Sequence, residues 1–264
     1  MSGLMAGKRG LIMGLANDRS LAWGIARQLA DQGAELAFSY QGEALEKRVR
    51  PLAAELGSDF LIDCDVSDKG PLDDAFARLA QRWDGLDFVV HAIGFSDKNE
   101  LRGKFVDTSL DNFLLTMNIS VFSFIAVAQR ARAMMKPGGS LLTLTYYGAE
   151  KVIPHYNVMG VAKAALETSV KYLAADLGPE GIRVNAIQPG IVEGPRIQRV
   201  FENKARARGV SYEKIREDAL SVVSMRTTVT PQQIADTIVF ICSEKGRTIS
   251  GQAISVCGDT QMLP

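Results

Sequence analysis

The segment "YNVMGVAK", residues 156–163, places a phenol and an ammonium seven residues apart, at Tyr156 and Lys163. Seven helical residues rise by about 10.5 Å, close to two turns, so both side chains can leave one face of a helix. A phenol that donates a hydrogen bond beside a fixed positive charge is a common arrangement for acid catalysis. Composition alone gives about 0.27 such pairs in a chain like this, so the surroundings must decide between a catalytic pair and an ordinary helix surface.

Composition excludes several classes of protein. The chain has 264 residues, of which 47% are apolar and 23% charged, and Lys plus Arg equals Asp plus Glu at 30 each. These values are typical of a globular protein, and the balanced charge argues against nucleic acid and against an anionic membrane as partners. No signal peptide is evident and no apolar run approaches 18 residues, so we expect no membrane span.

Histidines and cysteines are too few and too scattered for a metal site. His91 and His155 are far apart in the sequence and lack companion ligands at metal-binding spacing, so no metal is expected. The three cysteines, at 64, 242 and 257, form no CxxC pair. They fit reduced, buried thiols in the cytoplasm.

Strand-like and helix-like segments alternate along the whole chain. Helices of ten or more residues between strands indicate right-handed crossovers and a parallel sheet, and apolar strands such as "FVVHAI" need cover on both faces. The pattern predicts one doubly wound (Rossmann) α/β domain over 1–264, with a seven-stranded parallel sheet and helices on both faces. The predicted strands are 9–14, 34–40, 59–66, 86–94, 140–147, 181–187 and 253–257. The predicted helices are 21–33, 43–56, 71–83, 110–135, 156–177 and 231–243, and a less regular, substrate-covering segment is expected at about 190–225.

Ligands of such a sheet bind at the carboxyl ends of the strands, where strand order reverses. After the first strand, Gly14 permits a tight turn and Gly24 lets the helix approach the sheet, while Ser20 can cap the helix and bind a phosphate. The loop lacks the middle glycine of GxGxxG, so a plain strand–turn–helix unit explains it equally well.

The second strand ends at Gln41, where NAD-binding sheets usually carry an acidic residue for the adenosine ribose. A cation for the 2′-phosphate of NADPH is missing from the first positions, because Lys47 and Arg48 lie further into the helix. The position therefore favours NADH over NADPH as the cofactor.

The third and fourth strands also end in residues that suit a dinucleotide. Asp65 could accept from an adenine amino group or simply cap the next helix, and Val66 could pack on the adenine ring. Ala92 and Gly94 are small enough for the backbone to approach a flat ligand, and we interpret His91 as a packed rather than a catalytic histidine.

These motifs together resemble the short-chain dehydrogenase/reductase superfamily, and within it the bacterial NADH-dependent enoyl-acyl-carrier-protein reductases. Ordinary members carry Tyr-x3-Lys, whereas the six-residue spacer here, with Tyr146 ten residues before Tyr156, is similar to the enoyl reductases. The motifs are Gly14-x5-Ser20-x-Ala22-x-Gly24, Cys64-Asp65-Val66, His91-Ala92-Ile93-Gly94, Tyr156-x6-Lys163 and Arg183-Val184-Asn185-Ala186.

The resemblance implies a cytoplasmic enzyme of fatty acid synthesis that reduces trans-2-enoyl thioesters of acyl-carrier protein or coenzyme A. It implies that Tyr156 stabilises the substrate oxyanion and that Lys163 holds the nicotinamide ribose and lowers the pKa of the phenol. It gives Tyr146 a place in the acyl pocket beside the oxygen. It also implies cofactor contacts at Leu21 and the Val192 backbone, and an acyl pocket of Phe95, Tyr146, Met159, Val200 and Phe201.

The resemblance covers roughly residues 5–187, and the last third looks more like ordinary short-chain dehydrogenases. "QPGIVEGPR" (188–196) replaces the "SAGPIRT" of enoyl reductases, and Gly194 stands where a hydroxyl for the nicotinamide carboxamide is expected. A carbonyl reductase or alcohol dehydrogenase of the same superfamily therefore stays open as the alternative. A cofactor-binding regulatory protein without turnover is a third hypothesis, which the intact Tyr156 and Lys163 disfavour.

Two further expectations concern partners. The cations between Arg196 and Arg216 are either a solvated helix face or a surface that steers an acidic carrier protein. On the second hypothesis, Val200 and Phe201 close over the acyl chain as a lid, and the segment from Gly190 to Met225 is mobile or partly disordered without cofactor. The family resemblance also implies a homotetramer on the helices at 110–135 and 156–177, whose apolar residues exceed one stripe. These residues include Val121, Phe122, Phe124 and Ile125.

Overall fold

Seven parallel strands form one sheet, in the order β3-β2-β1-β4-β5-β6-β7. The computed structural model describes residues 3–260. The predicted seven-stranded, doubly wound sheet is confirmed. Its strands are β1 Arg9–Met13, β2 Glu35–Tyr40, β3 Leu61–Asp63, β4 Phe88–His91, β5 Ser140–Leu144, β6 Arg183–Pro189 and β7 Ala253–Val256.

Helices cover both faces of the sheet, as its two-sided apolar strands require. The helices are α1 Leu21–Asp31, α2 Gly42–Glu55, α3 Lys69–Arg82, α4 Leu110–Met117, α5 Ser123–Ala131, α6 Asn157–Leu177, α7 Pro195–Arg208, α8 Tyr212–Leu220 and α9 Pro231–Cys242. One hydrophobic core joins the sheet to α3, α5 and α6, and the other joins it to α1, α2 and α9.

Strand order reverses between β1 and β4, which pair side by side in parallel. The chain leaves β1 towards β2 on one side and returns at β4 on the other, so a crevice opens at the carboxyl ends of these two strands. This crevice lies at the end of the sheet where the candidate residues follow their strands.

The "RVNA" motif of β6 holds the sheet and the C-terminal segment together. Arg183 is buried, and its guanidinium donates to the carbonyls of Ile241 and Gly246 around the end of α9. Asn185 donates to Ile249 O (2.8 Å) and accepts from Gln252 N (3.1 Å). The motif is therefore structural, since its polar groups satisfy backbone atoms of neighbouring segments.

The long helix expected at 110–135 is interrupted and ends earlier. A π-helical turn at Asn118–Phe122 separates α4 from α5, and α5 ends at Ala131. Val121 and Phe124, which were expected to need cover from another subunit, are buried in the core, whereas Phe122 is 52% exposed. By length and hydropathy, the segment Leu110–Ala131 could cross a membrane, which we did not expect from the sequence. Its inner side, however, packs on the sheet.

The segment after β6 is more regular than its sequence suggests. It contains α7 and α8, which pack together around a small core of their own. Phe201 lies in that core beside Ile215, and its ring meets the Tyr212 ring edge-on at 6.0 Å between centroids. Polar residues dominate both helices, so only these few apolar contacts mark the pairing, and periodicity alone does not reveal it.

The fold depends on a close approach that only glycine allows at position 14. Gly14 has φ +89°, and a Cβ atom there would lie 2.2 Å from Ala92 O. We expect Gly14→Ala to lower the free energy of unfolding by about 2–4 kcal/mol, because it adds a backbone collision to an unfavourable φ. Urea unfolding measures the change.

Gly42→Ala is the matched control for this prediction. Gly42 has φ +73°, but a Cβ atom added there would meet nothing within 4 Å. Its substitution should lower the free energy of unfolding by only about 1 kcal/mol, the cost of a positive φ for a residue with a side chain. Equal losses in the two variants would show that the contact with Ala92 is not the cause.

Candidate active site

Tyr146 and Tyr156 meet at the carboxyl end of β5. Their ring centroids are 5.0 Å apart with an interplanar angle of 70°, an edge-to-face contact that fixes both rings. Gly148 makes room for the Tyr156 ring, since a Cβ atom at 148 would lie 2.5 Å from its Cδ1 atom. Both phenols are thus held by packing rather than by their hydroxyl groups.

Lys163 lies two turns into α6 and is buried beneath the crevice. Its Nζ donates to Leu144 O at the end of β5 (2.8 Å), and a Cβ atom at Gly94 would lie 3.6 Å from it. Glu167, one turn further along α6, accepts from Thr145 Oγ1 (2.6 Å) and exerts an attractive charge on the ammonium. The ammonium thus reaches the narrow space between β4 and β5.

The structure reverses one expectation about the phenol. Burial raises the pKa of Tyr156 far above its ordinary value, and Lys163 is absent from the charges that act on it within residues 3–260. Burial also lowers the pKa of Lys163 to about 8. Tyr156 is therefore a neutral hydrogen-bond donor at every ordinary pH, and the prediction that Lys163 lowers its pKa is wrong for this state of the protein.

His91 is a packed histidine, as predicted. It is fully buried, with Nδ1 3.2 Å from Thr143 Oγ1 and Nε2 2.8 Å from Ser123 Oγ. Burial and the nearby Lys163 charge lower its pKa to about 3, so it stays neutral. A neutral imidazole adds no second positive charge beneath the crevice.

The loop after β1 forms a cradle at the N-terminus of α1. Ser20 caps the helix, since its Oγ accepts from Trp23 N (3.3 Å). The first backbone amides of α1, including that of Leu21, have no acceptor inside the helix and carry its positive dipole end. Gly14 lies directly against Ala92 and has no side chain, so it leaves room in this loop for a ligand. The loop and the helix N-terminus therefore fit a pyrophosphate group.

Gln41 and Asp65 connect the ends of β2 and β3. Gln41 Nε2 donates to Asp65 Oδ2 (2.7 Å), while Asp65 Oδ1 accepts from the amide and hydroxyl of Ser67. The next helix is capped by Asp68, so the simple capping explanation for Asp65 is wrong. Val66 is mostly buried in the core, with only an edge left for a ligand.

Val192 lies in a short parallel bridge after β6. The bridge pairs it with Val229 through Val229 N to Ile191 O (2.9 Å) and Glu193 N to Val229 O (2.8 Å). In such a bridge the amide and carbonyl of the central residue point to the opposite side. The backbone amide and carbonyl of Val192 are thus not used by this pairing. Gly194 has φ 143°, a conformation that residues with side chains rarely adopt, which explains why no hydroxyl-bearing residue stands at this position.

The expected acyl-binding residues separate into two groups. Ser120, in the π-helical turn, accepts from Phe95 N (2.9 Å) and donates to Phe95 O (3.0 Å), which fixes the half-exposed Phe95. Met159 lies beside Ser120 and Gly94. Val200 is partly exposed on α7, whereas Phe201 packs between α7 and α8. The prediction that Phe201 lines the acyl pocket is therefore wrong.

Sequence reasoning missed four residues of this site. Arg196, in the first turn of α7, is the one cation that acts on both phenols among the described residues. Glu167 could have been found by its i+4 spacing from Lys163. No pattern pointed to Ser120 or to Asn157, because a π-turn and a left-handed residue leave no periodic trace.

Comparison with known proteins matches both the fold and the motifs. The family model for enoyl-(acyl carrier protein) reductase matches residues 14–258. Enoyl-[acyl-carrier-protein] reductase [NADH] 2 of Rhizobium meliloti is 54% identical over 252 residues, 96% of this chain and 91% of its own length. The Bacillus cereus reductase is 46% identical, covering 96% of both chains.

Solved structures agree. The Anaplasma phagocytophilum reductase in complex with NAD superposes with a TM-score of 0.88 at 47% identity, covering 100% of this chain and 95% of its own. The Bacillus cereus reductase with NADP+ and indole naphthyridinone gives a TM-score of 0.88 at 44% identity, covering 99% of both chains.

The match extends through the last third of the chain, so the expectation that family similarity ends near residue 187 is wrong. The departures at 188–196 are local substitutions inside a full-length relationship. The chain belongs to the enoyl-(acyl carrier protein) reductase family.

Proposed function

We propose that this protein is an NADH-dependent reductase that reduces the carbon–carbon double bond of trans-2-enoyl thioesters in fatty acid synthesis. The observation that carries the proposal is the contact of Tyr156 with Tyr146 just after β5, where the buried Lys163 also bonds to Leu144 O, in a chain from this family. Relatives that are 54% and 46% identical are NADH enoyl reductases by name.

The described residues fit a dinucleotide along the carboxyl ends of β1 to β6. The amides at Leu21 and the hydroxyl of Ser20 would hold the pyrophosphate, and Gln41, Asp65 and Val66 the adenosine. Ala92 and Gly94 leave space for a flat ring, Lys163 would hold the nicotinamide ribose, and the Val192 backbone would meet the carboxamide. When bound, the reduced nicotinamide supplies the hydride for the β-carbon of the substrate.

Tyr156 acts on the thioester oxygen. As hydride arrives at the β-carbon, negative charge develops on that oxygen, and the neutral Tyr156 hydroxyl donates a hydrogen bond to it. The raised pKa of Tyr156 keeps the proton on the phenol, and burial strengthens the bond by excluding water. Tyr146 fixes the orientation of the ring, and the positive charge of Arg196 favours the anion from the open side.

The acyl chain would lie against Phe95, Tyr146 and Met159, with Val200 on α7 at the mouth. Phe95 is 51% exposed, so its ring is accessible to an apolar ligand. Met159 is unbranched and polarizable, so it adapts to chains of different shape. Segment 190–225, which contains α7 and α8, would cover the crevice and close over the bound chain.

Cofactor choice follows from the end of β2. The Gln41–Asp65 hydrogen bond places a carboxylate where a 2′-phosphate would bring further negative charge. Two of the three cations of α2 are used locally, since Lys47 pairs with Glu43 and Arg50 with Glu46. We therefore assign NADH as the preferred cofactor and NADPH as the poorer one.

An acidic carrier protein would approach along α7. Arg199, Lys204, Arg206 and Arg208 are exposed on this helix, and none of them forms an ion pair within residues 3–260. Lys214 on α8 differs, because it pairs with Glu217 and Asp218. Among the described cations of α7 and α8 that form no ion pair, all but Arg216 lie on α7, the helix that also carries Val200.

A homotetramer in the cytoplasm is the assembly that fits the exposed apolar side of the protein. Phe105, Leu110, Leu114 and Phe122 are each more than half exposed around α4 and the π-turn. An apolar surface of this kind usually contacts another subunit. All three cysteines are free and buried, in keeping with a reducing compartment.

The first prediction tests the reaction itself. Wild-type protein should oxidise NADH faster with crotonyl thioester than with acetoacetyl thioester, and faster than it oxidises NADPH. Tyr156→Phe should lower kcat about 10²–10³-fold with nearly unchanged NADH binding, since it removes the oxyanion donor and keeps the ring. Preference for the ketone would instead support a carbonyl reductase, and near-normal turnover in the variant would remove Tyr156 from the mechanism.

The second prediction concerns pH. Lys163 is charged below its pKa of about 8 and neutral above it, so kcat/KM should fall as pH rises through about 8. His91, with its pKa lowered to about 3, and Tyr156, with its pKa raised, do not titrate in this range. Glu167→Gln removes an attraction that raises the Lys163 pKa, so the alkaline limb should move to lower pH.

Glu150→Gln is the matched control for the pH profile. Glu150 accepts from Gln188 Nε2 (3.0 Å) at the outer end of the same polar network and does not act on the Lys163 ammonium. Its profile should overlay that of the wild type. An alkaline limb that stays in place in Glu167→Gln would assign the limb to another group.

The third prediction tests carrier docking. Reversal of Lys204, Arg206 and Arg208 to Glu should raise KM for a carrier-bound enoyl substrate, more at low salt than at high salt. The same variant should treat a short coenzyme A thioester like the wild type. Steady-state kinetics at two ionic strengths measures both.

A control set separates docking from net charge. Arg27, Lys69 and Lys245 are exposed cations on α1, on α3 and in the turn after α9, and reversing them changes the total charge equally. Their variant should keep the wild-type KM for the carrier-bound substrate. If the α7 variant raises KM equally for the carrier-bound and the coenzyme A substrates, the cations support folding or cofactor binding instead.

A further inference from the structure

Two residues with unusual backbone conformations flank Tyr156. His155 has φ 63° and Asn157 has φ 37°, whereas Tyr156 itself has φ −112°. Side-chain-bearing residues avoid positive φ unless surrounding contacts hold them there, and such residues concentrate at functional sites. The contacts that hold this turn are therefore informative.

The Asn157 side chain provides such contacts. Its Nδ2 donates to Glu100 O (3.1 Å) and to Gly103 O (2.9 Å). These two carbonyls lie at either end of the short 3-10 turn Glu100–Arg102, which belongs to the connection between β4 and α4. One amide thus uses both of its hydrogens to hold a single turn against the start of α6.

The same turn is anchored on its other side. The Glu100 carboxylate accepts from Ser109 N (3.0 Å), Ser109 Oγ (2.7 Å) and Asn112 Nδ2 (3.2 Å). Asn112 in turn accepts from Asp97 N (2.9 Å). Residues 97–109 are thereby fixed to α4, and Asn157 joins this anchored segment to the helix that carries Lys163 and follows directly from Tyr156.

We propose that Asn157 is a positioning residue, which clamps residues 100–103 to the start of α6 and so holds Tyr156 at the angle its ring contact with Tyr146 requires. Rotation about φ of Asn157 swings the Tyr156 carbonyl and, with it, the Tyr156 side chain. The ring contact and Gly148 restrain the Tyr156 ring, but neither fixes the backbone turn. The kinetic part of this proposal rests on the proposed function.

Asn157→Asp is the most informative variant. Aspartate has nearly the same shape and also tolerates positive φ, but its carboxylate cannot donate to the two carbonyls. We expect kcat to fall about 10–100-fold, because a misplaced phenol loses transition-state contact, while KM for NADH changes less than about threefold. Asn157→Gly removes the side chain and relieves the φ constraint, so it serves if the aspartate variant folds poorly.

His155→Ala is the matched control. His155 is the other positive-φ residue beside Tyr156, and its side chain makes no hydrogen bond within residues 3–260. Its replacement should lower the melting temperature slightly and leave kcat within about twofold of the wild type. An equal loss of kcat in both variants would show that the strained turn, and not the amide clamp, matters.

A double-mutant cycle distinguishes positioning from a general structural role. In the Tyr156→Phe background, Asn157→Asp should cost little further in kcat, because the group that it positions is already gone. The full 10–100-fold loss in that background would overturn the proposal.

Limited proteolysis tests the clamp without any turnover. Lys98, Arg102 and Lys104 are exposed trypsin sites in the clamped segment. Trypsin should cut after these residues several-fold faster in Asn157→Asp and Asn157→Gly than in the wild type or in His155→Ala, as mass spectrometry of the fragments will show. Failure of the enoyl assay alone would refute the function and leave the clamp standing. Unchanged cleavage rates in both Asn157 variants would overturn the clamp.

Discussion

A positive charge buried at the end of β5 is the constraint on which the rest of the site depends. Removing an ammonium from water is costly, so Lys163 keeps its charge at neutral pH only with help from its surroundings. The Leu144 carbonyl, 2.8 Å away, and the Glu167 carboxylate supply that help. A second positive charge next to this ammonium would be unfavourable. Burial and the Lys163 charge accordingly lower the pKa of His91, and its imidazole remains neutral. Tyr156, buried in the same region, remains protonated and can only donate.

The sheet places this charge by close backbone approaches. Gly14 touches the Ala92 carbonyl, and Gly94 leaves the ammonium open between β4 and β5. Side chains at these positions would fill the crevice and shield the charge from a ligand. The doubly wound topology therefore supplies a cleft only because small residues stand where strand order reverses. The polar ends of β2 and β3, joined through Gln41 and Asp65, extend the same cleft towards an adenosine group.

The parallel sheet, its seven strands and most of its helices follow from periodicity, because buried parallel strands and amphipathic helices have distinct repeats. The Tyr156–Lys163 pair follows from its spacing together with the surrounding motifs, since the spacing alone also fits an ordinary helix surface. The features that the sequence does not reveal depend on contacts between segments that are distant in the chain. The π-turn at Asn118–Phe122 and the left-handed Asn157 arise from tertiary contacts, and the burial of Phe201 depends on which face of α7 meets α8. The protonation state of Tyr156 likewise depends on burial in three dimensions.

The last third of the chain shows how a motif can change while its role is kept. Gly194 stands where the family resemblance predicts a hydroxyl, and the neighbouring bridge with Val229 leaves the Val192 amide and carbonyl unused. A backbone amide is present whatever the side chain, so recognition of a carboxamide by Val192 does not require the missing hydroxyl. Gly194 directly precedes α7 in a conformation that a serine or threonine would rarely adopt, and the charge of Arg196, in the first turn of this helix, acts on both phenols.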